Sequence, residues 1–256
     1  MRKIVRYLIA VMALGMLTGF SVGVVEAGKC KLPDFFSASF SNPLIIDNRY
    51  FPLVPGTTFV YEPVPNEENV VNTIEVTYDT KTITVTDEVT GITEIIDCRV
   101  VYDVETVDGV TTEETYDWYA QDDAGNVWYC GEDTTAYLDD GTISKEGSWE
   151  AGQDVAGLGV NALPGYVMLA EPSPGVCYQQ EFYEGEAEDA AKVLRLNAKV
   201  TLENGESYKD CLVTKEWTRL DLGKVEQKFY ARNVGLVLIK ELKEKTVRVE
   251  LVEILP

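Results

Sequence analysis

The chain has 256 residues, with 43 acidic side chains against 22 basic ones, a formal charge of −21 and no histidine. That balance argues against nucleic acid or an anionic membrane surface as partner, since both require cationic contacts. The missing imidazole excludes Ser-His-Asp and Cys-His catalysis and removes the commonest ligand of zinc and copper. Carboxylates, cysteines, tyrosines, serine with lysine, and oxygen-ligated metals are left for any chemistry.

Arg2, Lys3 and Arg6 precede an apolar run from Tyr7 to Val25, and Val25-Glu26-Ala27 supplies a small-residue cleavage site. This is the layout of an export signal over residues 1–27. The run of 19 residues is also just long enough to span a bilayer, so an uncleaved anchor is the alternative. Cleavage would leave a chain starting at Gly28, with 19 basic and 42 acidic residues and a charge of −23, in the periplasm or outside the cell. Nothing after residue 27 approaches a membrane span. Lys29 stands where lipoprotein signals carry a small residue, which argues against a lipid on Cys30.

Residues 28–48 hold few periodic signals and read as an extended lead-in. Tyr50 to Tyr61 gives a Pro55-Gly56 turn feeding a strand. Val70 to Thr86 is rich in β-branched residues and alternates, with Ile74, Val76 and Tyr78 followed by Ile83 and Val85. Strands near Thr93 to Thr106 and Thr111 to Gln121 flank Asp108-Gly109, a strong hairpin signal. A turn at Asp122 to Asn126 leads to Val127 to Cys130, and Asp139-Asp140-Gly141 closes another short pair. Gly147 to Pro174 is rich in Gly and Pro and reads as a long excursion of the kind that forms lids. Gly185 to Leu196 predicts a short helix, with acids at its start, Lys192 and Arg195 in its last turns, and Ala187, Ala190, Ala191, Val193 and Leu194 as its apolar face. Strands resume at Ala198 to Leu202, Cys211 to Leu220, Val225 to Ala231, Leu236 to Leu242 and Thr246 to Ile254.

One pattern organises these elements. The hairpin Tyr116 to Glu132 has a fainter copy at Gln227 to Glu241, and each follows an Asp-Cys strand start, Asp97-Cys98 or Asp210-Cys211. Cys98 precedes Ala120 of the Trp-Tyr-Ala triplet by 22 positions, and Cys211 precedes Ala231 of the Phe-Tyr-Ala triplet by 20. The match predicts a duplicated β-unit, with half-units at about 50–146 and 197–256 joined by a loop and helix over 147–196. The five cysteines form no C-x-x-C pair and read as structural bridges. Cys98 and Cys211, at equivalent places in the two halves, are the first expected pair. Cys130 with Cys177 is the second, and Cys30 is left free.

Four features could carry function. Trp118, Trp128 and Trp149, with Glu150 beside the last, are candidate ligand contacts; aromatic packing in the core explains the same rings. Alternation sends Tyr116 and Trp118 to one face of their strand and Asp117 and Tyr119 to the other. Asp122, Asp123 and Asn126 around Gly125 are candidate calcium ligands, calcium being the one cofactor the acidic turns would suit. Their spacing lacks the full D-x-[DN]-x-[DN]-G loop, and a hairpin turn accounts for them equally. Glu184, Glu186, Glu188 and Asp189 complement the expected helix start. Glu150 is the carboxylate to test first for glycoside chemistry, whose defining separation of acids cannot be read from spacing in a β-chain.

Tyr-Phe-Pro-Leu-Val-Pro-Gly-Thr-Thr-Phe-Val-Tyr from Tyr50, Tyr116-Asp-Trp-Tyr-Ala-Gln-Asp, Gly147-Ser-Trp-Glu-Ala-Gly and Cys211-Leu-Val-Thr-Lys-Glu-Trp together resemble a family of exported, uncharacterised bacterial and archaeal β-rich proteins, over about residues 43–253. No activity follows from that resemblance. More distantly, the repeated hairpin is similar to curved half-barrel envelope proteins, some of which shield lipid, and this likeness implies fold alone. The sequence is therefore expected to fold as one mainly β domain over 28–256, an antiparallel curved sheet or half-barrel from two related hairpin units with one short helix packed on it. The expected role is a non-enzymatic envelope or extracellular module taking a small or apolar ligand in the concavity. A calcium-stabilised surface protein and a carboxylate hydrolase are the alternatives.

Overall fold

A computed structural model describes residues 30–242 and 248–256. The export signal expected over residues 1–27 lies outside them. Long alternating segments punctuated by Gly, Asn and Asp turns build fifteen strands. They are β1 Thr58–Val64, β2 Val70–Thr86, β3 Thr93–Val107, β4 Val110–Gln121, β5 Val127–Tyr137, β6 Ile143–Ser144, β7 Trp149–Glu150 and β8 Leu163–Met168, then β9 Cys177–Gln179, β10 Glu181–Phe182, β11 Asp189–Thr201, β12 Ser207–Thr218, β13 Val225–Ala231, β14 Gly235–Glu241 and β15 Arg248–Leu255. The Asp108-Gly109 turn forms as expected, with both residues at positive φ (52° and 76°), the geometry that matches a two-residue turn to the strand twist.

The strands pair in the order β10-β8-β5-β4-β3-β2-β1-β15-β14-β13-β12-β11-β9, with β6 and β7 added to β5. All of these pairings are antiparallel. The two end strands of this ribbon, β9 and β10, are separated in the chain by Gln180 alone, whose N–H donates to the Asp189 carbonyl at 2.8 Å. The sheet therefore curls into a nearly closed barrel instead of the expected half-barrel. Near-closure brings together edges that would otherwise stand open to other chains.

The helix expected at Gly185 to Leu196 does not form. Tyr183 and Ala187 make a bridge around a turn, and Asp189 onward is β11, paired to β9 on one side and β12 on the other. A lone helix of this length is marginal in water, whereas here β12 pairs along the segment and β9 pairs its Ala190–Lys192 stretch, taking backbone groups into the sheet. Ala191 and Val193 face inward and Lys192 outward, a period of two that the helical reading passed over. The acids of 184–189 cap no helix; Glu188 instead accepts the Gly185 N–H at 3.0 Å. The 147–174 excursion is likewise no free lid. It contributes β7 and β8 to the sheet, and the linker 147–196 as a whole supplies β7 to β10 and most of β11.

The strand pairings of the two expected half-units run in matching register. In the first, Val101 pairs with Asp117 and Asp103 with Thr115. In the second, Thr214 pairs with Lys228 and Glu216 with Glu226. These are the pairings the Cys98/Cys211 and Ala120/Ala231 equivalences require, and each following hairpin carries a register shift at the matching place, Asp117/Tyr119 and Phe229/Tyr230. The same equivalence defeats the expected Cys98–Cys211 bridge. Five strands separate β3 from β12 in either direction around the barrel, counting β9 and β10 as one. The bridge present joins Cys30 to Cys177, so the cysteine expected to be free is bonded, and Cys98, Cys130 and Cys211 are buried free thiols.

Residues 46–53 cross one end of the barrel. Gln121 Oε1 accepts the N–H groups of Asp47 and Asn48, and Asn48 Nδ2 donates to the carbonyls of Gly125 and Leu169. On the far side Asn233 N–H donates to the Arg49 carbonyl at 2.7 Å. The segment thus ties the β4–β5 turn to the β13–β14 turn, the two copies of the repeated hairpin.

Candidate functional site in the lumen

Alternation places Glu113, Thr115, Asp117 and Tyr119 of β4 on the inner face, all buried. Their neighbours on β3 are Asp103 and Glu105, and on β5 Glu132 and Thr134. Across the barrel β12 and β13 present Thr214, Glu216, Glu226, Lys228 and Tyr230. The lumen is therefore acidic and largely dry.

Lys228 is the organising cation. Its Nζ lies 3.0 Å from Glu216 and 3.9 Å from Glu226. Burial alone would lower its pKa, but the two carboxylates reverse that effect and raise it, keeping the ammonium charged. Glu216 is shared further, accepting from the hydroxyls of Thr214 at 2.6 Å and Tyr230 at 3.0 Å. The first half-unit has no such cation. Asp117 accepts only the Tyr129 hydroxyl, at 2.6 Å, and burial pushes its pKa up to about 7, against the lowering effects of that bond and of Lys228. Burial, then the charge of Asp117, raises Asp103 and Glu132 well above the usual carboxylate range. Glu181 is raised as well, by burial first and Asp189 next. Burial thus favours the protonated form of these acids, where Glu216 is ion-paired.

A cavity of about 90 Å³ remains between the two halves. Its polar wall is Asp103, Asp117, Gln180 and Lys228; its apolar wall includes Phe59, Ile74, Val101 and Leu236, with Phe51 to Leu53 of the crossing segment closing it. Gln180 is 1% exposed, donates weakly to Glu216 at 3.4 Å, and has no partner for its Oε1. Asp103 and Asp117 each accept one bond on Oδ1, from Asn72 and Tyr129, and among the described residues no protein group donates to the other oxygen.

The residues singled out from the sequence lie elsewhere. Trp128 is buried among Phe35, Phe40 and Tyr166, with its Nε1 donating to Asp122 at 2.9 Å. Trp118 lies under Lys81, whose Nζ is 4.7 Å from the ring centre and 2.9 Å from Glu150. Trp149 meets Tyr129 edge-on at 5.3 Å. Only Trp118 and Glu150 are brought together, through Lys81, and none of the four lines the cavity. Asp122 and Asp123 are spent on protein donors: Asp122 on Asn126 N, Asn126 Nδ2 and Trp128, Asp123 on Ser41 N and Oγ. They line an open outer groove of about 680 Å³ beside the lead-in segment. Among the described residues no three acidic or thiol side chains are grouped to hold a metal ion. Residues 103, 180 and 228 went unnoticed in the sequence. The signal available was the repeat itself, which puts Lys228 at the position equivalent to Asp117.

No protein-family model matches the chain, and no curated protein does. Among solved structures, a candidate exported protein with a YMCC-like fold from Bacteroides fragilis NCTC 9343 aligns with a TM-score of 0.44 and 14% identity, over 82% of this chain and 100% of that one. A candidate lipoprotein from Parabacteroides distasonis ATCC 8503 gives 0.40 and 12%, over 81% and 99%. Scores of this size stop short of a common fold and say nothing of activity.

Proposed function

We propose that the protein is a non-enzymatic, exported binding module whose ligand site is the lumen cavity beneath residues 46–53. The observation that carries this reading is a cavity within the barrel whose wall includes buried polar groups, among them Gln180, whose Oε1 has no partner. Its volume of about 90 Å³ is smaller than the roughly 150 Å³ of a protein cavity that takes benzene, so the ligand is a small solute. A lipid chain, admitted by the sequence reading, has no room. Export is supported by the leader-like N-terminus and by the Cys30–Cys177 bridge, which belongs to an oxidising compartment. Among the described residues no helix is long and apolar enough to cross a membrane.

Native mass spectrometry of the mature chain purified from its own host, before and after denaturation, tests the proposal. A small-solute mass lost on denaturation is the expected result. A co-purifying mass of lipid size would contradict it.

A further inference from the structure

The alternation that turns Asp103, Thr115 and Asp117 into the lumen turns Tyr102, Glu114 and Tyr116 outward. On that outer face the strand register lines up Glu75, Tyr102, Tyr116 and Asp133 in one row across β2 to β5. The Tyr102 and Tyr116 rings stack with centres 4.7 Å apart, one interstrand spacing, so they stand face to face along the row. Each ring therefore turns its other face towards the acid on its own side, Tyr102 towards Glu75 and Tyr116 towards Asp133. Beside the stack, Tyr102 and Tyr137 donate their hydroxyls to Glu114, one to each carboxylate oxygen. These two bonds hold the Glu114 carboxyl below its ordinary pKa, so it stays an anion at neutral pH. Tyr116 and Tyr137 remain 45% and 42% exposed, and the rings are fixed before any partner arrives.

Charge on this face is unevenly met. Lys145 is seated on Asp133 at 2.7 Å and bonds Thr135 Oγ1 at 2.7 Å, while Glu75 is exposed and, among the described residues, has no cation. An exposed ring face beside a carboxylate selects a planar cation, because a guanidinium stacks on the ring and forks onto the acid, which an ammonium cannot do. The chain's charge of −21 steers a basic partner in and repels an acidic one. A purely apolar partner would cover Glu75 and Glu114 without a counter-charge.

We infer that the outer face of β2 to β5 docks an arginine-bearing segment of a partner protein, with a guanidinium on the Glu75 side of the Tyr102 ring, bonded to Glu75. This surface lies on the opposite side of the sheet from the lumen and does not depend on what the cavity holds.

The test is NMR of the tyrosine ring signals in the full mature chain, titrated at physiological ionic strength with tetra-arginine and, separately, with tetra-lysine and maltotetraose. Tetra-arginine is expected to shift the Tyr102 and Tyr116 rings and to bind about two- to fivefold more tightly than tetra-lysine, the ratio an exposed cation–ring contact supplies. Tyr102→Leu should remove that preference. Glu75→Gln, at an exposed position without protein partners, keeps the fold and should weaken tetra-arginine by a similar factor. Equal binding of the two peptides, or tetra-arginine binding that neither variant alters, would reduce the face to general acidity and overturn the inference. Ring shifts with maltotetraose alone would make it a saccharide platform, and no shift with any probe would make it plain surface; either result also overturns the inference.

Discussion

The hairpins β3–β4 and β12–β13 match in strand register and differ in the charge they bury. In β12–β13 the inner positions carry Glu216, Glu226 and Lys228, one cation shared between two acids. In β3–β4 the matching positions carry Asp103, Thr115 and Asp117, where the hairpin supplies no cation and burial shifts the acids towards their protonated form. One hairpin design thus solves the buried-charge problem by pairing in one copy and by proton uptake in the other. The cavity lies between the two solutions, and the difference teaches that a duplicated scaffold can hold opposite electrostatic states in one lumen.

The strongest way to break this contrast is to remove the cation. Lys228→Met keeps most of the volume but leaves Glu216 and Glu226 buried without a partner, and should cost about 3–5 kcal/mol in denaturant unfolding. A loss under 1 kcal/mol would show that the second copy needs no pairing.

The first copy makes a prediction in pH. Asp117 has a folded pKa of about 7, raised above an ordinary 3.8, so the folded state holds the extra proton between these values. Its contribution is fully present below about pH 4, falls as pH rises, and levels off above about pH 7. The full shift is worth on the order of 4 kcal/mol. Asp103, Glu132 and Glu181 act in the same direction. Asp87, Asp140 and Asp154 act oppositely but are solvated and weak. Melting temperature should therefore be higher at pH 5 than at pH 8. Asp117→Asn should raise it at pH 8, change it little at pH 5, and flatten the profile.

A smaller effect distinguishes how the crossing segment is fastened to each copy. Asn48 secures it to the first through side-chain bonds to Gly125 and Leu169, while the second is held through the backbone of Arg49 and Asn233. Asn48→Ala should cost about 1–3 kcal/mol. Amide exchange should quicken at Gln121 to Asn126 and stay slow at Asn233.

Much of this architecture was legible in the chain. The Asp108-Gly109 turn, the strand alternation and the Asp-Cys and Tyr-Ala spacings lead to the two hairpin units, and alternation assigned Asp117 and Tyr119 to a face shared by no tryptophan of their strand. Closure was not legible, because it depends on Gln180 joining two edges that are far apart in sheet order, a non-local fact without a local signature. The 185–196 segment misled because alanines fit helix and strand alike, and only the pairing of β11 with β9 and β12 decides between them. The tryptophans drew attention as surfaces and proved to be core. The lumen acids were hidden among the 43 acidic residues of the chain, since burial of a carboxylate is a property of the nearly closed barrel and not of its neighbours in sequence.

The most direct test of the contrast between the copies is the side-chain carboxyl ¹³C titration of Asp117 in the wild-type chain and in Lys228→Met. A midpoint near 7 in the wild type, moving higher when the opposing ammonium is removed, is the predicted result. A midpoint near the ordinary 3.8 in both would contradict a dry lumen in which the two copies face each other.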